Sequence, residues 1–243
     1  LLPPEPAHHH DPAKTPLPRN FAPDHAFDHG NRGGRDELLL PIPRTPEAVR
    51  AELAVYHSMI TDLDAQLGRL LDALEADGRE TVVVFTSDQG LALGSHGLLG
   101  KQNCYEHSIR SPLLITGPGL PQGRRSAALV MLRDLHATLC ELAGVPVPAS
   151  VQARSLLPLL KGQSERVHDR VFAAFTDTQR MVCETRYKLI LYPQINRRQL
   201  FDLAADPDEL RDLADDPAHA TERRRLEALL TDWRRTHNDP LRP

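Results

Sequence analysis

Between Thr45 and Gly78 the apolar residues return every three or four positions, at Leu53, Tyr56, Ile60, Leu63, Leu67, Leu70 and Leu74. That spacing keeps one stripe on one face of a helix that turns every 3.6 residues. Thr45-Pro46-Glu47 supplies its start: a hydroxyl N-cap, a proline at the first helical position and an acid in the first turn. Gly78 supplies its end. The pattern then shortens. Thr81–Thr86, TVVVFT, is a β-branched run that predicts a strand buried on both faces, and Leu113–Thr116 predicts a second. Leu132–Leu142 reads as a helix closed by Gly144. Helix, strand, loop, strand, helix in that order points to a layered α/β body with a parallel-rich sheet.

After about Arg166 the pattern changes to short strands, at Val171–Phe175, Arg180–Glu184, Tyr187–Tyr192 and Gln199–Leu203. Connections this short cannot cross over a sheet, so the strands pair antiparallel. A last helix near Ala220–Arg235 carries Leu226, Leu229, Leu230 and Trp233. The expected division is therefore 1–165 for the α/β body and 166–243 for a small antiparallel sheet with a terminal helix. Residues 1–44 are rich in Pro, His, Asp and Gly without periodicity. Each proline fixes its own φ and pushes its predecessor away from helix, so this segment reads as a long loop laid on a larger body.

Composition narrows the class. With 243 residues the chain can form one sizeable domain, or a domain plus a smaller one. At 40% hydrophobic and 26% charged it has the make-up of a soluble globular protein. A net charge of -4 removes the electrostatic case for a nucleic-acid partner. Cys104, Cys140 and Cys183 are odd in number and lack CxxC spacing, which argues against a disulfide framework or a structural zinc. No apolar run reaches the length of a membrane span. The opening LLPPEPAHHHDP has neither an initiator Met nor the pattern of a signal peptide. It reads as the middle of a longer chain, so that any export signal would lie upstream of Leu1.

Candidate chemistry concentrates in SDQGLALGSHGLLGKQNCYEHSIRSP, which begins at the carboxyl end of the first strand. In α/β sheets ligands collect at such strand ends. The Asp88 carboxylate and the Gln89 amide oxygen suit a hard divalent cation, Ca2+ or Mg2+. Gly90 allows a tight turn after them. Lys101 brings a mobile positive charge suited to an anionic oxygen, and His96 can donate to the same anion. Taken singly, Asp followed by Gly at a strand end is usually only a turn, and a lone His or Lys in a loop is usually solvated. Order and spacing give the set its meaning.

The stretch SDQGLALGSHGLLGKQNCYEHSIRSPLLITGPGLP closely resembles the sulfatase family of the alkaline phosphatase superfamily. The family form is Ser-Asp-His/Asn-Gly, then His-Gly, Gly-Lys, Tyr-Glu, Arg-x-Pro and Gly-Pro-Gly. YHSMITDLDAQLGRLLDAL resembles the family's long helix before this strand. LRDLHATLCELAGVPVP, SLLPLLKG, RYKLILYP and LFDLAADPDELRDLA resemble its later segments. The resemblance implies part of an alkaline-phosphatase-like layered α/β/α domain, followed by a small antiparallel sheet with a C-terminal helix. It implies Asp88 as a metal ligand, with Ca2+ the expected ion and Mg2+ the alternative. Gln89 would be the second ligand, where the family usually has Asn or His. Lys101 matches the lysine that contacts sulfate, and His96 matches a histidine on the leaving-group side. Tyr105, Glu106 and Arg110 are expected to brace the loop, and Cys104 to be a buried, inert thiol.

The same resemblance implies a formylglycine nucleophile, made from the Cys or Ser of Cys/Ser-x-Pro-x-Arg, whose hydrate attacks sulfur. That motif, an Asp-Asp metal pair and a Lys-x-His lie in the family's N-terminal half, and this chain contains none of them. The implied protein is a sulfuric ester hydrolase acting on a sulfated small molecule or glycan. This chain would be its C-terminal portion, not competent without the missing N-terminal half of the same domain. Two alternatives stand beside it: a phosphonate monoester or phosphodiester hydrolase of the same superfamily, and a non-catalytic relic that binds sulfated glycan. His8–His10 are not expected to ligate, because consecutive residues of an extended segment point to alternating sides. Asp24, His25, Asp28 and His29 are candidates for a loop facing the substrate pocket.

Overall fold

In a computed structural model describing residues 5–241, Thr45 Oγ1 accepts a hydrogen bond from Ala48 N and opens helix α1, Pro46–Asp77. Gly78 closes it at φ 70°, with its N–H returning to Leu74 O and Glu75 O. The predicted helix and both its caps are thus formed. Its apolar stripe is used only near the start, where Val49, Leu53 and Ala54 are buried. Further along, Ile60, Leu63 and Leu70 are 46%, 53% and 57% exposed.

Strands β1 (Val83–Thr86) and β2 (Leu113–Thr116) form a two-stranded sheet. The pairing is antiparallel, with Val83 opposite Thr116 and Thr86 opposite Leu113, and not the parallel arrangement that the element order suggested. Parallel pairing needs a crossover back to the strand's starting end. Residues 87–112 instead return the chain to β1 at the end it left, where Thr86 Oγ1 donates to Pro112 O at 2.9 Å. Nor is β1 buried on both faces: Phe85 and its cross-strand partner Leu114 are both exposed.

Among the described residues the chain divides into two compact units. The first runs to Asn103 and resumes at His107–Pro118; the second holds Cys104–Glu106 and everything from Gly119. Helix α2 (Glu106–Ile109) starts at this junction. Helices α3 (Asp134–Leu142) and α4 (Leu157–Leu160) group with the second unit, ahead of the break expected after residue 165. The buried Asp134 carboxylate ties this stretch to itself by accepting from Met131 N, Arg154 N and His168 Nε2.

The second unit centres on strands β3 (Val171–Phe175), β4 (Gln179–Cys183), β5 (Tyr187–Tyr192) and β6 (Arg197–Asp202), antiparallel in sequence order as expected. Their register lines up Phe172, Val182, Leu189 and Leu200 across the sheet. That apolar row packs on Leu226 and Leu230 of helix α5 (Ala220–Thr236), with Trp233 stacked on Phe172 at 5.0 Å. The period of two sends Met181, Lys188, Ile190 and Phe201 to the other face. That face is buried too, under Cys104 and Tyr105: Lys188 Nζ donates to Cys104 O and Tyr105 OH to Gln199 Oε1.

Candidate active site

Asp88 stands two residues beyond the end of β1 and is exposed. Its carboxylate makes no hydrogen bond or ion pair among the described residues, and neither do the side chains of Gln89 and Lys101. The backbone around them is held closely. Ser87 Oγ donates to Gln89 O at 2.7 Å, and Gly90 N donates to Ser108 O at 2.9 Å. Gly90 is required for a different reason than the expected tight turn. A Cβ there would fall 1.9 Å from His107 O, so the loop runs against the His107 backbone at a distance no side chain permits.

From Ala92 the loop doubles back as a narrow hairpin. Ala92 N donates to Gly100 O, Leu93 N to Leu99 O and Gly94 N to Leu98 O. At its tip His96 adopts φ 54°, a left-handed conformation that costs a side-chain-bearing residue energy and persists only where its neighbours impose it. Asn20 does so from two directions: His96 N donates to Asn20 O at 2.8 Å, and Asn20 Nδ2 lies 3.0 Å from His96 Nε2. His25 Nδ1 donates to His96 O at 2.9 Å. The His107 ring lies 5.8 Å from the His96 ring.

Lys101 follows directly where the hairpin closes. The two preceding amides, Leu99 N and Gly100 N, donate to Glu37 Oε2 and Oε1 at 3.0 and 2.8 Å. Glu37 is buried and ion-paired with the fully buried Arg44, whose Nη2 also reaches Glu37 O. Neither Asn20 nor Glu37 carried a signal in the sequence pattern. Both sit in the aperiodic Pro-rich segment, where a polar residue with a buried partner reads like any solvated one.

The remaining candidates separate clearly. His8 pairs with Asp62 and His10 with Thr61 on α1, so the histidine run packs on the helix and makes no common site. Asp24 binds Arg32, and Asp28 accepts from Gly30 N. His25 and His29 are buried, and burial lowers each to a pKa of about 4. Burial likewise pushes the Cys104 thiol up to about 12, far from a reactive thiolate. Tyr105 and Glu106 are held in the second unit, by Gln199 and by Lys188.

One carboxylate and one amide oxygen are the right chemistry for a hard cation, but they are not a complete shell. Among the described residues no three His, Cys, Asp or Glu side chains come together as a metal site. Asp88 and Gln89 therefore fit a divalent ion only as part of a larger donor set.

The fold is that of the alkaline-phosphatase-like α/β class. The structure superposes on a phosphonate monoester hydrolase from Silicibacter pomeroyi with a TM-score of 0.81 at 27% identity, over 93% of this chain and 51% of that one. It superposes on a 2-O GAG sulfatase with a TM-score of 0.74 at 27% identity, over 98% and 53%. Residues 6–145 match the sulfatase family model, and residues 94–236 match that of the C-terminal region of N-sulphoglucosamine sulphohydrolase. Arylsulfatase K of Xenopus laevis is 34% identical over 189 residues, which is 71% of this chain and 35% of that protein. The chain belongs to the sulfatase family. It spans about a third of the length of the arylsulfatase and about half that of the two structures.

Proposed function

We propose that the protein containing this chain hydrolyses a sulfate ester to an alcohol and sulfate, and that residues 88–101 form one wall of its active site. The observation that carries this reading is the contrast within the loop. Its backbone N–H groups are bonded at Gly90 and from Ala92 to Gly100, yet the side chains of Asp88, Gln89 and Lys101 make no hydrogen bond among the described residues. Fixed backbone with uncommitted polar side chains is the economical way to pre-organise a charged site, because little reorganisation remains at the moment of reaction. Lys101 binds an oxygen of the sulfate group, and His96 faces the leaving alcohol. Asp88 and Gln89 contribute two oxygens to a divalent ion, Ca2+ with Mg2+ as the alternative. Such an ion supplies charge stabilisation to the transferring group.

The formylglycine nucleophile and the remaining metal ligands come from sequence outside these 243 residues, and this chain alone is inactive. The substrate is a sulfated small molecule or glycan. A second reading rests on the superposition with the phosphonate monoester hydrolase: the same wall serves a phosphonate or phosphate ester.

The test is turnover by the full-length protein of 4-nitrophenyl sulfate against phenyl 4-nitrophenylphosphonate, with and without a chelator. Faster sulfate turnover, lost on chelation and in Asp88→Ala, supports the sulfatase. Preference for the phosphonate moves the assignment to the second reading. Turnover indifferent to both chelator and Asp88→Ala overturns the metal assignment, and metal binding without any turnover marks a non-catalytic relic.

A further inference from the structure

We infer that the buried Glu37–Arg44 pair is the device that positions Lys101, and that Glu37 is a positioning residue for whatever anion Lys101 binds. This rests on the reading of Lys101 as the sulfate-binding cation.

Lysine is a poor choice for a fixed charge, since its four-carbon stem is flexible and its ammonium has no preferred fork. A site that needs its charge in one place must fix the backbone that carries it. Here the two residues before Lys101 are fixed by a single carboxylate. Glu37 uses each oxygen once, Oε2 for Leu99 N and Oε1 for Gly100 N. Both bonds are charge-assisted and lie in the protein interior, where such bonds are strong. Gly100 is part of the same device. A Cβ at that position would lie 2.9 Å from Glu37 Oε1 and 3.1 Å from Asp36 Cβ, so only glycine lets the carboxylate this close to the amide.

Arg44 makes the arrangement tolerable. A lone buried carboxylate would be expelled or neutralised. The Arg44 guanidinium meets Glu37 Oε2 at 2.5 Å and also donates to Glu37 O at 3.1 Å, fixing side chain and backbone together. Arg44 is itself tied through its N–H to Pro23 O at 2.6 Å, and Thr45 beside it caps α1. The clamp is thus anchored to the start of the longest helix in the described chain. If buried charge served stability alone, an apolar pair of similar volume would do as well or better. Placing two amides next to a functional lysine is what an apolar pair cannot do.

The experiment is a double-mutant cycle in the full-length protein with 4-nitrophenyl sulfate. It uses Lys101→Ala, Glu37→Gln, and Glu37→Leu combined with Arg44→Met. The last variant removes both charges together and so guards against unfolding from an unpaired arginine; a thermal melt reports folding for each. Misplacing the ammonium by about 1 Å is expected to lower kcat by roughly 100-fold with KM changed much less. Once Lys101 is alanine, the Glu37 changes should add nothing. Amide exchange on this chain gives a second readout: Leu99 and Gly100 should lose protection in Glu37→Gln while Leu98 keeps it. Losses that multiply instead of merging, or unchanged Leu99 and Gly100 exchange, overturn the positioning role. Full activity in Lys101→Ala overturns the reading of Lys101 itself, which is a separate failure.

Discussion

Lys188 Nζ lies 2.8 Å from Glu209 Oε1 in the interior of the second unit, with 2.6 Å separating the same ammonium from Glu106 Oε1. Burial opposes the charge on Lys188, but the two carboxylates outweigh it and raise its pKa. Burial also raises the pKa of Glu209, outweighing the opposing pull of Lys188 and of the Glu106 N–H. The cluster holds Cys104–Glu106 on the sheet, because Glu106 N donates to Glu209 Oε2 and Lys188 to Cys104 O.

Lys188→Met should therefore cost far more than its lost packing. It leaves the buried Glu209 without its cation beside the half-buried Glu106, at an expected cost of about 3–5 kcal/mol. Urea unfolding of the chain measures it. Adding Glu209→Gln to Lys188→Met should recover part of the loss; no recovery would show that the ammonium's charge is not what matters.

The first unit should weaken in mild acid. His25 and His29 have folded pKa values of about 4 against an ordinary 6.5, because burial disfavours the imidazolium. The unfolded chain then binds more protons than the folded one between these values, so stability rises with pH across that window. The contribution is complete above about pH 6.5 and is lost progressively toward pH 4, on the order of 3 kcal/mol per histidine. A series of thermal melts from pH 7 to pH 4 tests this. Replacing both histidines by glutamine should flatten the curve, and an equally steep curve in that variant would assign the acid lability elsewhere.

Gly90→Ala should damage the candidate site without removing any polar side chain. The new methyl would fall 1.9 Å from the His107 carbonyl oxygen, a backbone atom that no side-chain rotation can move aside, so one strand of the loop must move. The expected destabilisation is about 3 kcal/mol, at the upper end for overpacking. Hydrogen exchange should show the loss at the Gly90 N to Ser108 O bond first. An alanine variant as stable as the parent would mean that this close approach is not maintained in solution.

The outer part of α1 should make the chain self-associate. Ile60, Leu63, Leu70 and Leu71 are all exposed along it. Sedimentation velocity should show concentration-dependent association, reduced by Leu63→Lys with Leu70→Glu. A monomer at every concentration would indicate that this face is inert in water.

The legible parts of the structure were those governed by local rules. Thr45, Pro46 and Gly78 bound α1 where sequence placed them, because caps satisfy backbone groups of their own helix end. The four short strands near the C-terminus and their antiparallel order follow from connection length alone. The apolar row from Phe172 to Leu200 is covered by α5, whose Leu226 and Leu230 recur on one helical face. Antiparallel pairing of β1 with β2 was not legible, since a long loop conceals the end to which it returns.

By itself the sequence determined both ends of α1 and, to within about two residues, the short strands, and it named which residue types in the loop could do chemistry: Asp88, Gln89, His96 and Lys101. Periodicity and capping act within a few residues, and residue types carry their own acids, bases and oxygens. Only the tertiary structure decided what holds those residues. Asn20 reaches His96 across seventy-odd positions, and Glu37 reaches Leu99 and Gly100 across more than sixty. Such contacts depend on how a loop without periodicity lies on the body beneath it. A buried carboxylate and an exposed one are the same letter until the chain folds around one of them.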